Sequence, residues 1–180
     1  MGQNLLETPV SKSIVHHGKF LEFHTDQVQL PNGKIASREY LRHPGAVAAV
    51  PVLADGRIVL VKQFRYPTNQ VLLEIPAGKL DPGESPDDCV RRELAEEIGY
   101  EPQTIIPLTS IWTTPAFTDE VIHLYLARDL KELPLQPDED EFLETVVMSR
   151  TELWEALNAQ TIIDAKTAVA VSLIENRNLW

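Results

Sequence analysis

The stretch from Gly78 to Tyr100 constrains this chain more than any other, because its second half marks a helix at both ends. Ser85 is a good N-cap, Pro86 suits the first helical position, and Asp88 stands at the capping-box spacing. Gly99 supplies the stop, since glycine tolerates the left-handed conformation that ends helices. Between those signals Val90, Leu94 and Ile98 recur every four residues and form one apolar stripe. Glu93, Glu96 and Glu97 stand at i, i+3 and i+4, so one side of the helix carries three carboxylates. Like charges at that spacing oppose helix formation by roughly a few tenths of a kcal/mol per pair. A cation would turn that cost into a binding site, and carboxylate oxygens are hard ligands suited to Mg²⁺ or Mn²⁺. Taken alone, three such glutamates are more commonly a solvated acidic face on a surface helix.

Composition narrows the setting. At 180 residues the chain is most economically one compact domain with a small appended sheet. Its net charge of −11 argues against nucleic acid or an anionic membrane as partner, because no positive field would draw a polyanion in. A phosphate-bearing substrate would therefore need local cations. Cys89 is the only cysteine, which excludes an intramolecular disulfide and a thiolate metal cluster; a small packed residue is the expected role. The N-terminus lacks the pattern of a signal peptide, and the longest apolar run, Ala46 to Ala54, is far short of a membrane span. A cytoplasmic protein is expected.

Along the chain, residues 1–8 read as a loose tail and Val10 to His43 as three strands. Phe20–Leu30 and Ile35–Arg42 flank Asn32-Gly33, the strongest short hairpin signal. After His43-Pro44-Gly45, strands are expected at Ala46–Leu53, Arg57–Phe64 and Val71–Ile75, the last leading into a loop at Pro76-Ala77-Gly78. Further strands are expected at Thr104–Thr113, Val121–Ala127 and Phe142–Met148, and closing helices at Thr151–Gln160 and Ala165–Glu175. In the last helix Ala168, Val171 and Leu173 are expected to supply apolar surface. Strands with a few interposed helices suggest a mixed α/β sheet sandwiched by helices.

The full pattern of Gly78, Glu84 and Arg92-Glu93-Leu94-Ala95-Glu96-Glu97-Ile98-Gly99-Tyr100 resembles the Nudix box throughout. That family hydrolyses a nucleoside diphosphate linked to another group. Tyr100 replaces the more usual aliphatic residue, a departure that bears on packing rather than chemistry. The resemblance implies the Nudix α/β/α sandwich over 44–180, preceded by a small antiparallel β-sheet region over 1–43. It implies Glu93 and Glu97 as principal Mg²⁺ or Mn²⁺ ligands, Glu96 assisting, and the Ala77 carbonyl completing the shell. Arg92 and Glu84 read as an ion pair tying loop to helix rather than as catalytic groups. The water-activating base is implied on a late acidic loop, where Glu141 best matches the family position and Glu139 is the alternative.

Pro115 lies fifteen residues after Tyr100, a marker of the ADP-ribose pyrophosphatase branch, although Ala116 stands where that branch usually has glycine. Ser37–Gly45, Val61–Pro67 and Glu74–Gly78 are similar to the same branch. Its implied substrate contacts are Phe20 stacking on adenine, Glu39 accepting from the adenine amino group, and Arg38 and Arg65 meeting base or phosphate, with Glu74 in the same set. Phe20 is equally readable as a core residue of an alternating strand. The branch implies a homodimer built across the N-terminal sheet and cleavage of ADP-ribose to AMP and ribose 5-phosphate. Another sugar nucleotide such as GDP-mannose, or a non-catalytic module that senses a nucleotide and regulates a partner, are the alternatives.

Overall fold

Residues 5–134 and 142–180 are described by the structure, a computed structural model. They form eleven strands and three α-helices, arranged in two compact units. One unit holds the chain up to Gly45 together with Trp112–Val121, and the other holds Ala46–Ile111 and Ile122–Trp180.

In the first unit, β3 (Glu22–Gln29) pairs antiparallel with β4 (Ile35–Arg42) through the Asn32-Gly33 hairpin. Along its other side lie β1 (Thr8–Ser11) and β2 (Ile14–His17), end to end. The three expected strands thus become three lanes, the first of them broken. Asp26 explains the break: its Oδ1 accepts the Ser13 N–H at 3.2 Å, a bond that competes with continued pairing. One face of β3 buries His24, Asp26 and Val28. The His24 ring stacks on Tyr40 with centroids 5.1 Å apart, and the Tyr40 hydroxyl donates to Asp26 Oδ2 at 2.9 Å. The segment Trp112–Val121 belongs here because Asp119 accepts from Arg42 Nη1 at 2.7 Å and from the His43 N–H at 2.8 Å. No local sequence signal announced that distant attachment.

The second unit is built around β5 (Ala46–Pro51), in which every residue is buried. Its apolar run reads without alternation because both faces are covered. Ala46, Ala48 and Val50 face one core with Ile58, Leu60, Leu124, Leu126, Leu153 and Val171. Val47 and Ala49 face the other, with Val59, Val61, Val90, Leu94 and Ile98. The flanking strands are β6 (Ile58–Arg65), β7 (Gln70–Glu74), β8 (Ala77–Lys79), β9 (Tyr100–Trp112), β10 (Val121–Glu132) and β11 (Leu143–Met148). They form two sheets with orders β8-β5-β10-β9 and β11-β6-β7. β5 and β10 are parallel, whereas β5–β8, β6–β7 and β6–β11 are antiparallel.

Helix α1 (Pro86–Ile98) covers one core, and α2 (Arg150–Asn158) and α3 (Ala165–Asn176) cover the other. The expected boundaries of α1 hold at both ends. Ser85 Oγ accepts the Asp88 N–H, and Gly99 caps the C-terminus at φ 68°. The Ser85 hydroxyl also donates to the Asp88 carboxylate at 2.7 Å.

Two expectations are corrected. Pro76–Gly78 is not a loop throughout, because Ala77 and Gly78 pair with Ala48 and Val47 and give the exposed edge of β5 its partners. In α3 the buried positions are Lys166, Thr167, Ala170, Val171 and Ile174. Val171 and the partly covered Leu173 do pack on the core as expected, whereas Ala168 is partly covered and Ala170 and Ile174 carry the apolar face instead. Spacing of three and four residues, rather than two and three, keeps side chains on one helical face. No helix among the described residues is long and apolar enough to cross a membrane.

Candidate active site

The apolar stripe of α1 sets its rotation, and that rotation decides where the glutamates go. With Val90, Leu94 and Ile98 against the sheet, Glu93 and Glu97 fall on the flank of the stripe and are buried at 8% and 3% exposure. Acidic side chains are seldom buried to that degree without partners. Here the neighbouring wall is β8. The Ala77 N–H donates to Glu97 Oε2 at 2.9 Å. Glu93 lies directly over Gly78, where any Cβ would overlap its carboxyl carbon and both oxygens. Only glycine leaves room for that carboxylate.

Arg92 organises the remainder. Its Nε and Nη2 each meet an oxygen of Glu84 at 2.9 Å, and Nη2 also donates to the Lys79 carbonyl at 3.1 Å. Its Nη1 reaches Glu93 Oε1 at 2.8 Å and Glu96 Oε2 at 2.9 Å. The expected loop-to-helix ion pair is present, and the same guanidinium also gathers two of the three candidate carboxylate ligands. A cleft of about 330 Å³ opens beside this face, lined by Arg92, Ala95, Glu96, Leu133 and Pro134.

The charges answer one another. Hydrogen bonding to Glu84 pushes Arg92 above its ordinary range, and the same contact holds the Glu84 carboxyl down at about 2. Burial, with Glu84 adding to it, pushes the Cys89 thiol up to about 12. Cys89 is fully buried and its Sγ donates to the Lys79 carbonyl at 3.4 Å, so it packs as expected and offers no thiolate.

A folded pKa below the unfolded value of 4.5 means that ionised Glu84 stabilises the fold above about pH 4.5. That contribution is lost as pH falls toward 2. Glu84→Gln should therefore have a lower urea midpoint than the parent near neutrality, with the gap narrowing steadily between pH 4.5 and 2. A gap independent of pH would show that the carboxylate charge is not what ties the loop to α1.

Carboxylate oxygens in this number and hardness suit Mg²⁺ or Mn²⁺. Among the described residues, however, no three His, Cys, Asp or Glu side chains stand together as a ready ligand set. The reason lies in the contacts above: Arg92 draws Glu93 and Glu96, while Glu97 turns to Ala77. Glu93, Glu97 and the β8 backbone fit a hard cation by donor chemistry, with Arg92 as the competing positive charge.

The other predicted residues fall in several places. Arg65 holds both oxygens of Glu74, at 2.8 and 2.7 Å, and its guanidinium stays partly exposed. Glu74 itself is 1% exposed and is also paired with Lys166. Burial alone would raise the Glu74 carboxyl, but Arg65 and Lys166 outweigh it and the net direction is downward. In the N-terminal unit Phe20 is about half exposed, Glu39 is exposed on β4, and Arg38 is paired with Glu7 through Nε at 2.9 Å. Glu141 and Glu139 lie outside the described residues.

Sequence reasoning missed Asp164, Lys166 and Thr167 at the start of α3. An aspartate followed three residues later by threonine was a legible capping signal, but nothing local tied it to Glu74, ninety-two residues before Lys166.

A mixed sheet and an antiparallel sheet clasped by helices, with buried carboxylates on the helix that follows a glycine-bearing edge strand, define the class. The NUDIX domain matches residues 42–168, and the chain belongs to the NUDIX family. It is 39% identical over 175 residues to an ADP-ribose pyrophosphatase of Bacillus subtilis (strain 168), covering 96% of this chain and 95% of that one. It is 40% identical over 177 residues to a methanol dehydrogenase activator of Bacillus methanolicus, covering 97% and 96%. The crystal structure of an ADP compounds hydrolase matches the fold with a TM-score of 0.85 at 23% identity, over 97% of this chain and 96% of the other.

Proposed function

We propose that this chain is a Mg²⁺-dependent hydrolase (Mn²⁺ serving as well) that cleaves ADP-ribose to AMP and ribose 5-phosphate. The observation that carries the reading is the pair Glu93 and Glu97, one helical turn apart and buried against Ala77 and Gly78. Two desolvated carboxylates cost stability unless a positive charge answers them. Arg92 does so in part, and a divalent cation would complete it. When bound, such a cation shields phosphate charge, acidifies a water and stabilises the departing oxygen.

The residues around it have separate tasks. Glu93, Glu97 and the Ala77 carbonyl offer hard donors, Glu96 assists, and Arg92 holds the helix to the Lys79–Glu84 turn. Arg65 offers a partly exposed guanidinium to a phosphate. Phe20 and Glu39 are the proposed adenine contacts, and Arg38 joins them by releasing Glu7. Glu141 is the proposed base, by resemblance of the acidic loop. Glu141→Gln is expected to slow kcat about 10²-fold, the scale of general base catalysis, while the Mg²⁺ concentration for half-maximal rate stays unchanged. An unaltered kcat would remove it from that role.

The identity to the B. subtilis pyrophosphatase over nearly the whole chain supports the substrate. An equally extensive match to the methanol dehydrogenase activator supports a second reading, a non-catalytic Nudix module that senses a nucleotide and regulates a partner. Purified protein with Mg²⁺, offered ADP-ribose, GDP-mannose, NADH and a nucleoside triphosphate, separates them. Preferential release of AMP from ADP-ribose is the expected result. Turnover of none would favour the sensor, and preference for GDP-mannose would move the substrate.

A homodimer across the N-terminal sheet belongs to the same proposal. Its support is the exposed Val10, Ile14, Val15 and Ile35, apolar side chains on strands that leave them in solvent. A monomer by sedimentation at assay concentration would refute it. The reading also places the protein in the cytoplasm, consistent with a single, buried cysteine, and cell fractionation would test that.

A further inference from the structure

Behind the edge strand that carries Ala77 and Gly78 sits a polar cluster that the proposed chemistry does not use. It is supplied by the first turn of α3. Asp164 caps that helix, with Oδ2 accepting the Thr167 N–H at 3.0 Å. The same oxygen accepts the Thr167 hydroxyl proton at 2.5 Å. A hydroxyl has one proton to give, so the Thr167 oxygen is left facing outward as an acceptor. It takes the N–H of Ile75 at 2.9 Å. Thr167 and Ile75 are both fully buried, so no solvent can replace that bond. Beside it, Lys166 Nζ bridges Asp164 Oδ1, at 3.0 Å, and Glu74.

Two consecutive residues of the chain, Glu74 and Ile75, are thus tied by side chain and by backbone to one helical turn. The next residue, Pro76, is held by its carbonyl, which accepts the Ala49 N–H at 3.1 Å. The residue after that is Ala77, whose N–H holds Glu97. A residue fixed at three successive points has little freedom left at the fourth, and partners of this kind behind a ligand set commonly change metal affinity when lost.

We propose that Thr167 and Lys166, oriented by Asp164, are positioning residues for the cation-binding corner: they set the place of the Ala77 backbone and, through it, the Glu97 carboxylate. The proposal rests on the functional reading above, in which Glu97 binds a divalent cation. Neither residue is among the proposed substrate contacts. Their effect passes through Ile75 and Glu74.

The test is Mn²⁺ binding followed by electron paramagnetic resonance, on wild type, Thr167→Val, Thr167→Ser, Lys166→Met and Glu97→Gln, each below its own melting temperature. Thr167→Val keeps shape but removes the acceptor for Ile75. It is expected to weaken Mn²⁺ binding about tenfold or more, within the range seen when second-layer partners of a metal are removed. Thr167→Ser keeps the oxygen and should bind within about twofold of wild type by the same reasoning. Lys166→Met should weaken binding in the direction of Thr167→Val.

A packing role alone would lower melting temperature and leave Mn²⁺ affinity unmoved, an outcome that overturns the proposal. If Thr167→Val does not fold, Lys166→Met decides by the same measurement. If neither folds, the cluster is a folding element and the proposal is overturned. Glu97→Gln keeps the two failures apart. Should it bind Mn²⁺ as wild type does, the metal reading falls and the positioning role with it. Should it alone lose the ion, only the positioning role falls.

Discussion

Glu97→Gln is expected to lower kcat on ADP-ribose about 10³-fold and to leave the melting temperature close to that of the parent, because metal-derived charge stabilisation is worth several kcal/mol. The replacement is close to isosteric, and an amide oxygen can still accept the Ala77 N–H that Glu97 accepts at 2.9 Å. What is lost is the negative charge. A buried amide also escapes the desolvation cost of a buried carboxylate, so stability has no reason to fall sharply. The measurement is steady-state hydrolysis at saturating Mg²⁺ beside a thermal melt. Activity within tenfold of wild type would remove Glu97 from the ligand set. A large loss of melting temperature would mean instead that the carboxylate is structural.

The second large effect is expected at a residue with no side chain. Gly78→Ala places a methyl where the Glu93 carboxyl group lies. The obstacle is the far end of a flexible side chain, not backbone, so the fold should survive and the carboxylate should move. Moving it breaks the 2.8 Å contact with Arg92 Nη1 as well as the alignment toward a cation. Misplacement of a reacting or ligating group by about 1 Å is enough for roughly a 10²-fold loss, and that is the drop expected in kcat/KM. A mutant cycle with Glu93→Gln gives the decisive comparison. If glycine acts by making room for Glu93, the alanine should cost little once that carboxylate is gone. Equal cost on both backgrounds would show that Gly78 serves the β5–β8 pairing instead.

Much of this molecule was legible in its residues because the signals involved act over a few positions. Ser85 and Gly99 mark α1, since a cap satisfies backbone groups of its own helix and needs no distant partner. Asn32-Gly33 marks the β3–β4 hairpin for the same reason. The Arg92–Glu84 pair was also foreseeable, lying eight residues apart across one turn.

Illegibility begins where the deciding contact is long-range. Ala77 and Gly78 looked like a loop because their partners on β5 stand some thirty residues earlier. Thr167 and Lys166 carried no signal because their partners Ile75 and Glu74 are ninety-two residues away. The pairing of Glu74 with both Arg65 and Lys166 was hidden for the same reason on the Lys166 side.

The resemblance to the Nudix box implied the kind of chemistry, while the residue pattern by itself determined that three carboxylates share one side of a helix after a glycine-bearing turn, in an acidic chain with one cysteine. Local periodicity suffices for that, because helix geometry fixes which side chains share a face. Only the tertiary structure decided which of those carboxylates are buried, that Gly78 makes the space for one and the Ala77 N–H binds another. It also decided that a helix near the end of the chain braces the strand beneath them. Burial and bracing are set by what packs across the gap, and a one-dimensional pattern contains no distances between residues far apart in the chain.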